Sequence, residues 1–237
     1  MKALIDECWL CYPKTMQTIN IQVAGYQIAL FKGSLDLPTV YFHGPLEEAT
    51  NIYRLLTQKP NFVAITNNDW ESDFTPFKHS KVFKWGHDFS GNADKYIEIL
   101  TQEIIPKAEG ELDISNPDRV IAGYSLAGLL ALYVTYKTAF FNQVACVSGS
   151  LWYPGFMEYQ EKNEPRIVPK SIYFSLGDKE SLTKNPYLSK ALECMQKTKE
   201  LFKKRGSKTF FELNQGGHFI DSDIRALKGL NYLLENS

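Results

Sequence analysis

The sequence predicts an α/β fold, a mostly parallel central sheet with helices on both faces in a three-layer sandwich. Two observations carry this. From residue 37 to the end, short apolar runs of strand length alternate with segments whose apolar residues recur at helical spacing. The stretches richest in chemistry, at Ser125, at Gly177 to Glu180 and at His218, each follow directly on such an apolar run. Sheets of this kind bind ligands outside the carboxyl ends of their strands, so these residues are expected at one edge. A chain of 237 residues with 44% hydrophobic and 14% aromatic content can bury the core of one such domain, and residues 1–237 read as a single domain.

The elements follow in order. Residues 15 to 31 alternate around Ile19, Ile21 and Val23, break at Ala24-Gly25-Tyr26 and resume at Ile28, Leu30 and Phe31, which predicts a β-hairpin within the N-terminal segment 1–36. Leu37 to Phe42 is a strand running into His43-Gly44-Pro45, and Ile52, Leu55 and Leu56 give the next segment helical spacing. Phe62 to Ile65 is a buried strand. Residues 67–90 carry Trp70, Phe74, Phe77, Phe83, Trp85 and Phe89 without steady periodicity. An aromatic-rich loop of this length is expected to fold over the sheet end, near the site or as packing. A helix capped by Ser90 or Asn92 runs through Tyr96, Leu100 and Ile105, and Pro106 is expected to end it. Strands follow at 119–122, 144–148, 171–176 and 209–213, with helices from Leu126, over about 187–204 and over 220–235.

The chemistry centres on Gly123-Tyr124-Ser125-Leu126-Ala127, set between an apolar run and a helix. A sharp turn there lifts a serine hydroxyl clear of the sheet beside the first helical amides, the geometry of a nucleophile elbow, although the G-x-S-x-G pattern has Ala127 in its last position. A serine hydroxyl needs a base, and the base an orienting group. His218, in a Gly-flanked loop before the last helix, is the candidate base; Glu180 is the chosen acid, with Asp178 the alternative that more naturally shapes the turn. The oxyanion would be met by the Leu126 amide and by either Gly44 or Leu46, because Pro45 has no N–H. Tyr124, Trp152, Tyr153 and Trp70 are the aromatic residues expected near a substrate.

Other function classes lack a signal. The formal net charge is −1, with no basic tract to attract nucleic acid or anionic lipid. The partner expected is a small-molecule ester, with no nucleic acid and no membrane. Asp6 and Glu7 interrupt the apolar region a signal peptide would need, which gives a cytoplasmic expectation. The four cysteines make no disulfide framework, and Cys8-x-x-Cys11 lacks a second ligand pair, so neither metal nor organic cofactor is expected.

Ala122-Gly-Tyr-Ser-Leu-Ala-Gly-Leu, Val147-Ser-Gly-Ser-Leu-Trp-Tyr, Leu176-Gly-Asp-Lys-Glu-Ser, Gly216-Gly-His-Phe and, less specifically, Asp73-Phe-Thr-Pro together resemble the esterase D-like group of the α/β-hydrolase superfamily, which includes siderophore (enterobactin-type trilactone) esterases. The resemblance covers about residues 38 to 237. It implies the α/β-hydrolase fold and a serine esterase in which Ser125, Glu180 and His218 act as nucleophile, acid and base through an acyl-enzyme. It also implies that Ser148 to Tyr153 line the acyl or alcohol pocket. Thioester hydrolysis or acyl transfer on the same triad, and a catalytically silent binding protein of the same fold, are the alternatives.

Overall fold

The computed structural model describes residues 18–66 and 69–237; Cys8, Cys11 and the first residues of the expected hairpin lie outside the described residues. In chain order the elements are β1 (Thr18–Val23), β2 (Tyr26–Phe31), β3 (Thr39–His43), α1 (Leu46–Leu55), β4 (Phe62–Thr66), α2 (Trp70–Asp73), α3 (Ala93–Ile99), α4 (Ile105–Leu112), β5 (Arg119–Tyr124) and α5 (Leu126–Lys137). They continue with β6 (Gln143–Val147), α6 (Phe156–Lys162), β7 (Ser171–Gly177), α7 (Ala191–Lys204), β8 (Lys208–Asn214) and α8 (Ser222–Glu235). The strands form one eight-stranded sheet in the order β1-β2-β4-β3-β5-β6-β7-β8. β2 pairs antiparallel with β1 and β4, and every pairing from β4 to β8 is parallel. The hairpin turns on Ala24 and Gly25, both at positive φ (50° and 90°), the two-residue geometry that suits antiparallel twist.

Period-two side-chain alternation divides the core between the faces. In β5, Val120 and Ala122 point to the layer built by Ala49 and Ile52 of α1 and by Ala226, Leu230 and Leu233 of α8. Ile121 points the other way, to the layer of α3, α4, α5, α6 and α7. Helix α5 is the centre of that second layer and is buried from Ala127 through Tyr136. Its apolar character on all sides is what a helix enclosed by protein requires. Burial of Leu129, Leu130 and Leu132 contributes about 1.5–3 kcal/mol each.

Three elements differ from the sequence reading, the first being the short helix α2 inside the stretch 67–90 expected as a loop. Pro106 does not end its helix: the chain passes through a π-helical turn at Leu100–Ile104 and continues as α4, with Pro106 in the first turn of the new segment. The widened turn shifts the backbone register, so the missing N–H falls where a helix start needs no donor. Helix α6 carries no sequence periodicity strong enough to predict it; its Phe156 and Gln160 are buried against the α5–α7 layer.

His43, at the end of β3, is fully buried, with Nε2 2.7 Å from the Tyr96 hydroxyl. Burial disfavours its cation and lowers its pKa from 6.5 to about 3. Below pH 6.5 the unfolded chain therefore takes up a proton that the native chain refuses, and stability is lost as pH falls towards 3. At pH 5 this one group should cost about 2 kcal/mol relative to neutral pH. Thermal melts between pH 7.5 and pH 5 should show that loss, and a His43→Asn variant, less stable at neutral pH, should lose this part of the slope.

Candidate active site

Strand β5 ends at Tyr124 and α5 begins at Leu126, leaving Ser125 alone in the turn at φ 60° and ψ −121°. A non-glycine residue at that angle is strained, and it is held from several directions. The Ser125 amide donates to the Val147 carbonyl at 3.1 Å, and its carbonyl accepts from the amides of Leu129 at 3.1 Å and Ser150 at 3.0 Å. The space around the turn explains the glycines. A Cβ on Gly123 would lie 2.5 Å from the Ala127 backbone, and one on Gly128 would lie 2.9 Å from the Gly149 Cα and 3.0 Å from the Gly123 carbonyl oxygen. Gly128 thus supplies the close helix-to-sheet approach, and the methyl of Ala127 is accommodated in the apolar core.

The turn sets the Ser125 Oγ 3.0 Å from His218 Nε2, and His218 Nδ1 lies 2.7 Å from Glu180 Oε2. The other carboxylate oxygen, Oε1, accepts hydrogen bonds from the Gly177 amide at 2.7 Å, the Ser148 hydroxyl at 2.8 Å and Arg225 at 3.0 Å. Burial alone would raise the Glu180 pKa, but hydrogen bonds and charge from His218, with the Gly177 and Ser148 donors, outweigh it and hold the carboxyl below its ordinary value. Asp178 turns elsewhere: its Oδ1 accepts from the Gly216 amide at 2.8 Å, tying the loop after β7 to the loop that carries His218.

Beside Ser125 opens a cavity of about 230 Å³. Besides Ser125, Glu180 and His218, its walls are Phe83, Leu126, Ser150, Trp152, Leu188, Ala191 and Phe219. Phe83 and Trp152 meet edge to face at 6.0 Å between ring centroids, and the ring of Phe219 stands 92% exposed at the mouth.

Of the aromatic residues expected here, only Trp152 lines the cavity. Tyr124 is buried, and its hydroxyl donates to the His218 carbonyl at 2.7 Å, so it braces the histidine loop instead. Tyr153 is buried, donates its hydroxyl to the Phe77 carbonyl and packs on Phe89, anchoring the aromatic loop. Trp70 packs against Phe74, the rings tilted at 60° with centroids 5.2 Å apart, at the edge of the main core. Gly44 needs a similar correction: its amide continues the sheet ladder by donating to the Ile65 carbonyl at 3.2 Å and is not a free oxyanion donor. Neither Gly44 nor Leu46 lines the cavity. The sequence reading places the aromatic loop 67–90 near the site without singling out Phe83, and it does not bring Leu188, Ala191 or Phe219 to the site. Arg225 was missed too, although an arginine in the first turn of a helix, at the positive end of its dipole, was a usable signal.

The parallel sheet, the strained serine turn and the histidine loop after the last strand define the α/β-hydrolase class. The family model described as "Putative esterase" matches residues 45–222, and the chain belongs to that esterase family. It is accordingly a carboxylic ester hydrolase. No curated protein sequence matches the chain. Among solved structures it is similar to an IroE-like serine hydrolase from Shewanella oneidensis, with 17% identity, a TM-score of 0.76, and coverage of 93% of this chain and 80% of that one. It is also similar to the BES protein from Bacillus cereus, at 16% identity and a TM-score of 0.68 over 98% of this chain and 99% of that one. The siderophore hydrolase EstA from Aspergillus nidulans gives 16% identity and a TM-score of 0.67 over the full length of both chains. No helix among the described residues is long and apolar enough to cross a membrane.

The packing at the turn gives a paired prediction. Gly128→Ala presses a methyl into backbone on both sides and should destabilise by about 1–3 kcal/mol while displacing Ser125 and lowering ester turnover. Ala127→Gly should cost about 1 kcal/mol, mainly through helix entropy, and leave turnover nearly intact. Denaturant melts read alongside ester hydrolysis check both.

Proposed function

We propose that the chain hydrolyses esters through an acyl-enzyme, with Ser125 as nucleophile, His218 as general base and acid, and Glu180 as the group that orients and stabilises the imidazole. The observation that carries this is the continuous hydrogen-bonded path from the Ser125 hydroxyl through His218 to Glu180, at 3.0 Å and 2.7 Å. A hydroxyl is nucleophilic at neutral pH only if its proton has somewhere to go as the bond to carbon forms. Nε2 takes that proton, and the imidazolium so formed lies against a carboxylate. The same nitrogen protonates the leaving alcohol, then removes a proton from the water that releases the acid.

The tetrahedral oxyanion is met by the Leu126 amide at the N-terminus of α5, where the helix dipole favours negative charge. With the Gly44 amide engaged, Pro45 lacking one and Leu46 outside the cavity, the loop after β3 offers no second donor there. No metal or cofactor takes part in these steps.

The cavity chooses the substrate. Among the described residues, its walls beyond the three reacting residues and Ser150 are apolar and include no lysine or arginine. A charged acyl group would be desolvated there without a partner, which is costly. A neutral ester with an apolar or aryl acyl group fits these walls; a siderophore lactone is the competitor, EstA being a siderophore hydrolase.

A panel of p-nitrophenyl acyl esters, matching thioesters and a siderophore trilactone tests this reading. The neutral apolar esters should turn over fastest. Ser125→Ala should lower kcat by on the order of 10⁴-fold or more, and Glu180→Gln by on the order of 10²–10⁴-fold. Asp178→Asn should retain most activity; if it instead abolishes turnover while Glu180→Gln does not, the acid is misassigned. Faster turnover of thioesters would redirect the function to that class, and no turnover anywhere would leave a binding protein.

A further inference from the structure

Arg225 lies in the first turn of α8 and is 1% exposed. A guanidinium is expensive to bury unless its donors are paired, and the start of a helix repels a cation. Both penalties are met by an unusual set of partners. Nη1 donates to Glu180 Oε1 at 3.0 Å, to the Ser148 hydroxyl at 3.2 Å and to the Tyr124 hydroxyl at 3.1 Å. Nη2 donates to the carbonyls of Gln215 at 3.1 Å and Gly217 at 3.0 Å. These partners stand at the ends of β5 and β6, in the loop after β7, and on either side of Gly216 in the loop that carries His218. The Nε finds no partner among the described residues, so the fork is oriented by these contacts at the expense of complete pairing.

We infer that Arg225 is a positioning residue for ester hydrolysis, one planar fork that fixes the Glu180 carboxylate and the His218 loop in register with each other. This rests on the reading that Ser125, His218 and Glu180 carry the reaction. Arg225, Ser148 and the Gly177 amide saturate Oε1, which leaves Oε2 to the imidazole. Gly177 is part of the fit, since a Cβ there would lie 2.9 Å from Arg225 Nη1 and 2.4 Å from the Gly216 carbonyl oxygen. Tyr124 closes the circuit by accepting from Arg225 and donating to the His218 carbonyl. A lysine could replace the charge but not the fork that reaches both loops.

The arrangement also sets a charge balance. The titratable groups facing Arg225 are Glu180 after β7, Tyr124 at the end of β5 and Tyr173 within β7, with His218 reached through Glu180 and Tyr124. Without the guanidinium, the Glu180 carboxylate would be left uncompensated at that depth, free to turn away from the imidazole.

The test compares Arg225→Met and Arg225→Lys with wild type on a neutral p-nitrophenyl ester, measuring kcat, KM and thermal melting. Arg225→Met should lower kcat by on the order of tenfold to a hundredfold with KM within about threefold. Arg225→Lys should recover part of kcat. Unchanged kcat in both folded variants, or a loss that falls on KM alone, would overturn the role. Should Arg225→Met fail to fold, Arg225→Lys and Tyr124→Phe decide: a lower kcat at similar KM in both supports it, and wild-type kcat in both overturns it. A wild type silent on every ester takes down the hydrolase reading and this role with it, whereas an active wild type with unaffected variants takes down this role alone.

Discussion

Helix α5 meets the ends of β5 and β6 at a separation that only glycine backbone permits. Gly123, Gly128 and Gly149 form the contact, and a methyl at Gly123 or Gly128 would fall within 3 Å of backbone atoms. That approach holds Ser125 at φ 60°, points its hydroxyl off the sheet and brings the first amides of α5 beside it. The strain is local, and the apolar burial of α5 on every side offsets it. A looser helix would relax the turn, and the distance to His218 would no longer be fixed.

The second constraint is electrostatic. Glu180 and Arg225 are both nearly inaccessible to water, with side chains 6% and 2% exposed. Neither charge would be tolerable alone at that depth, and the pair is tolerable because its lone pairs and donors are shared with Ser148, Gly177 and the carbonyls of the histidine loop. The loops after β7 and β8 are joined further by Asp178 and the Gly216 amide. Four strand ends thus converge on one polar knot beneath an apolar cavity. The polar part fixes geometry, and the aromatic walls give the cavity its apolar lining.

Much of this was legible in the sequence, and the reason is periodicity. Apolar runs such as Val120 to Ala122 and Val144 to Val147 are buried on both faces, so they stand out against amphipathic helices. Once the strands are placed, the fold itself brings the serine, the acid and the histidine to one edge. What the sequence concealed depends on long-range contact. Tyr124 and Tyr153 flank reactive-looking motifs but are buried, because the depth of a side chain after a strand end is set by loops distant in sequence. Phe83 and Phe219 reach the cavity from segments with no regular spacing. The role of Arg225 depends on partners from four strand ends, and Pro106 reads as a helix stop until the π-helical turn before it is seen.

Under the proposed function, the geometry at Ser125 makes that hydroxyl, and no other, nucleophilic. Intact-mass and peptide mass spectrometry after treatment with a fluorophosphonate tests it most directly. One stoichiometric adduct is expected on the peptide containing Ser125, absent from a folded Ser125→Ala variant and slowed in His218→Ala. An unmodified wild type, or an adduct retained in Ser125→Ala, would contradict it.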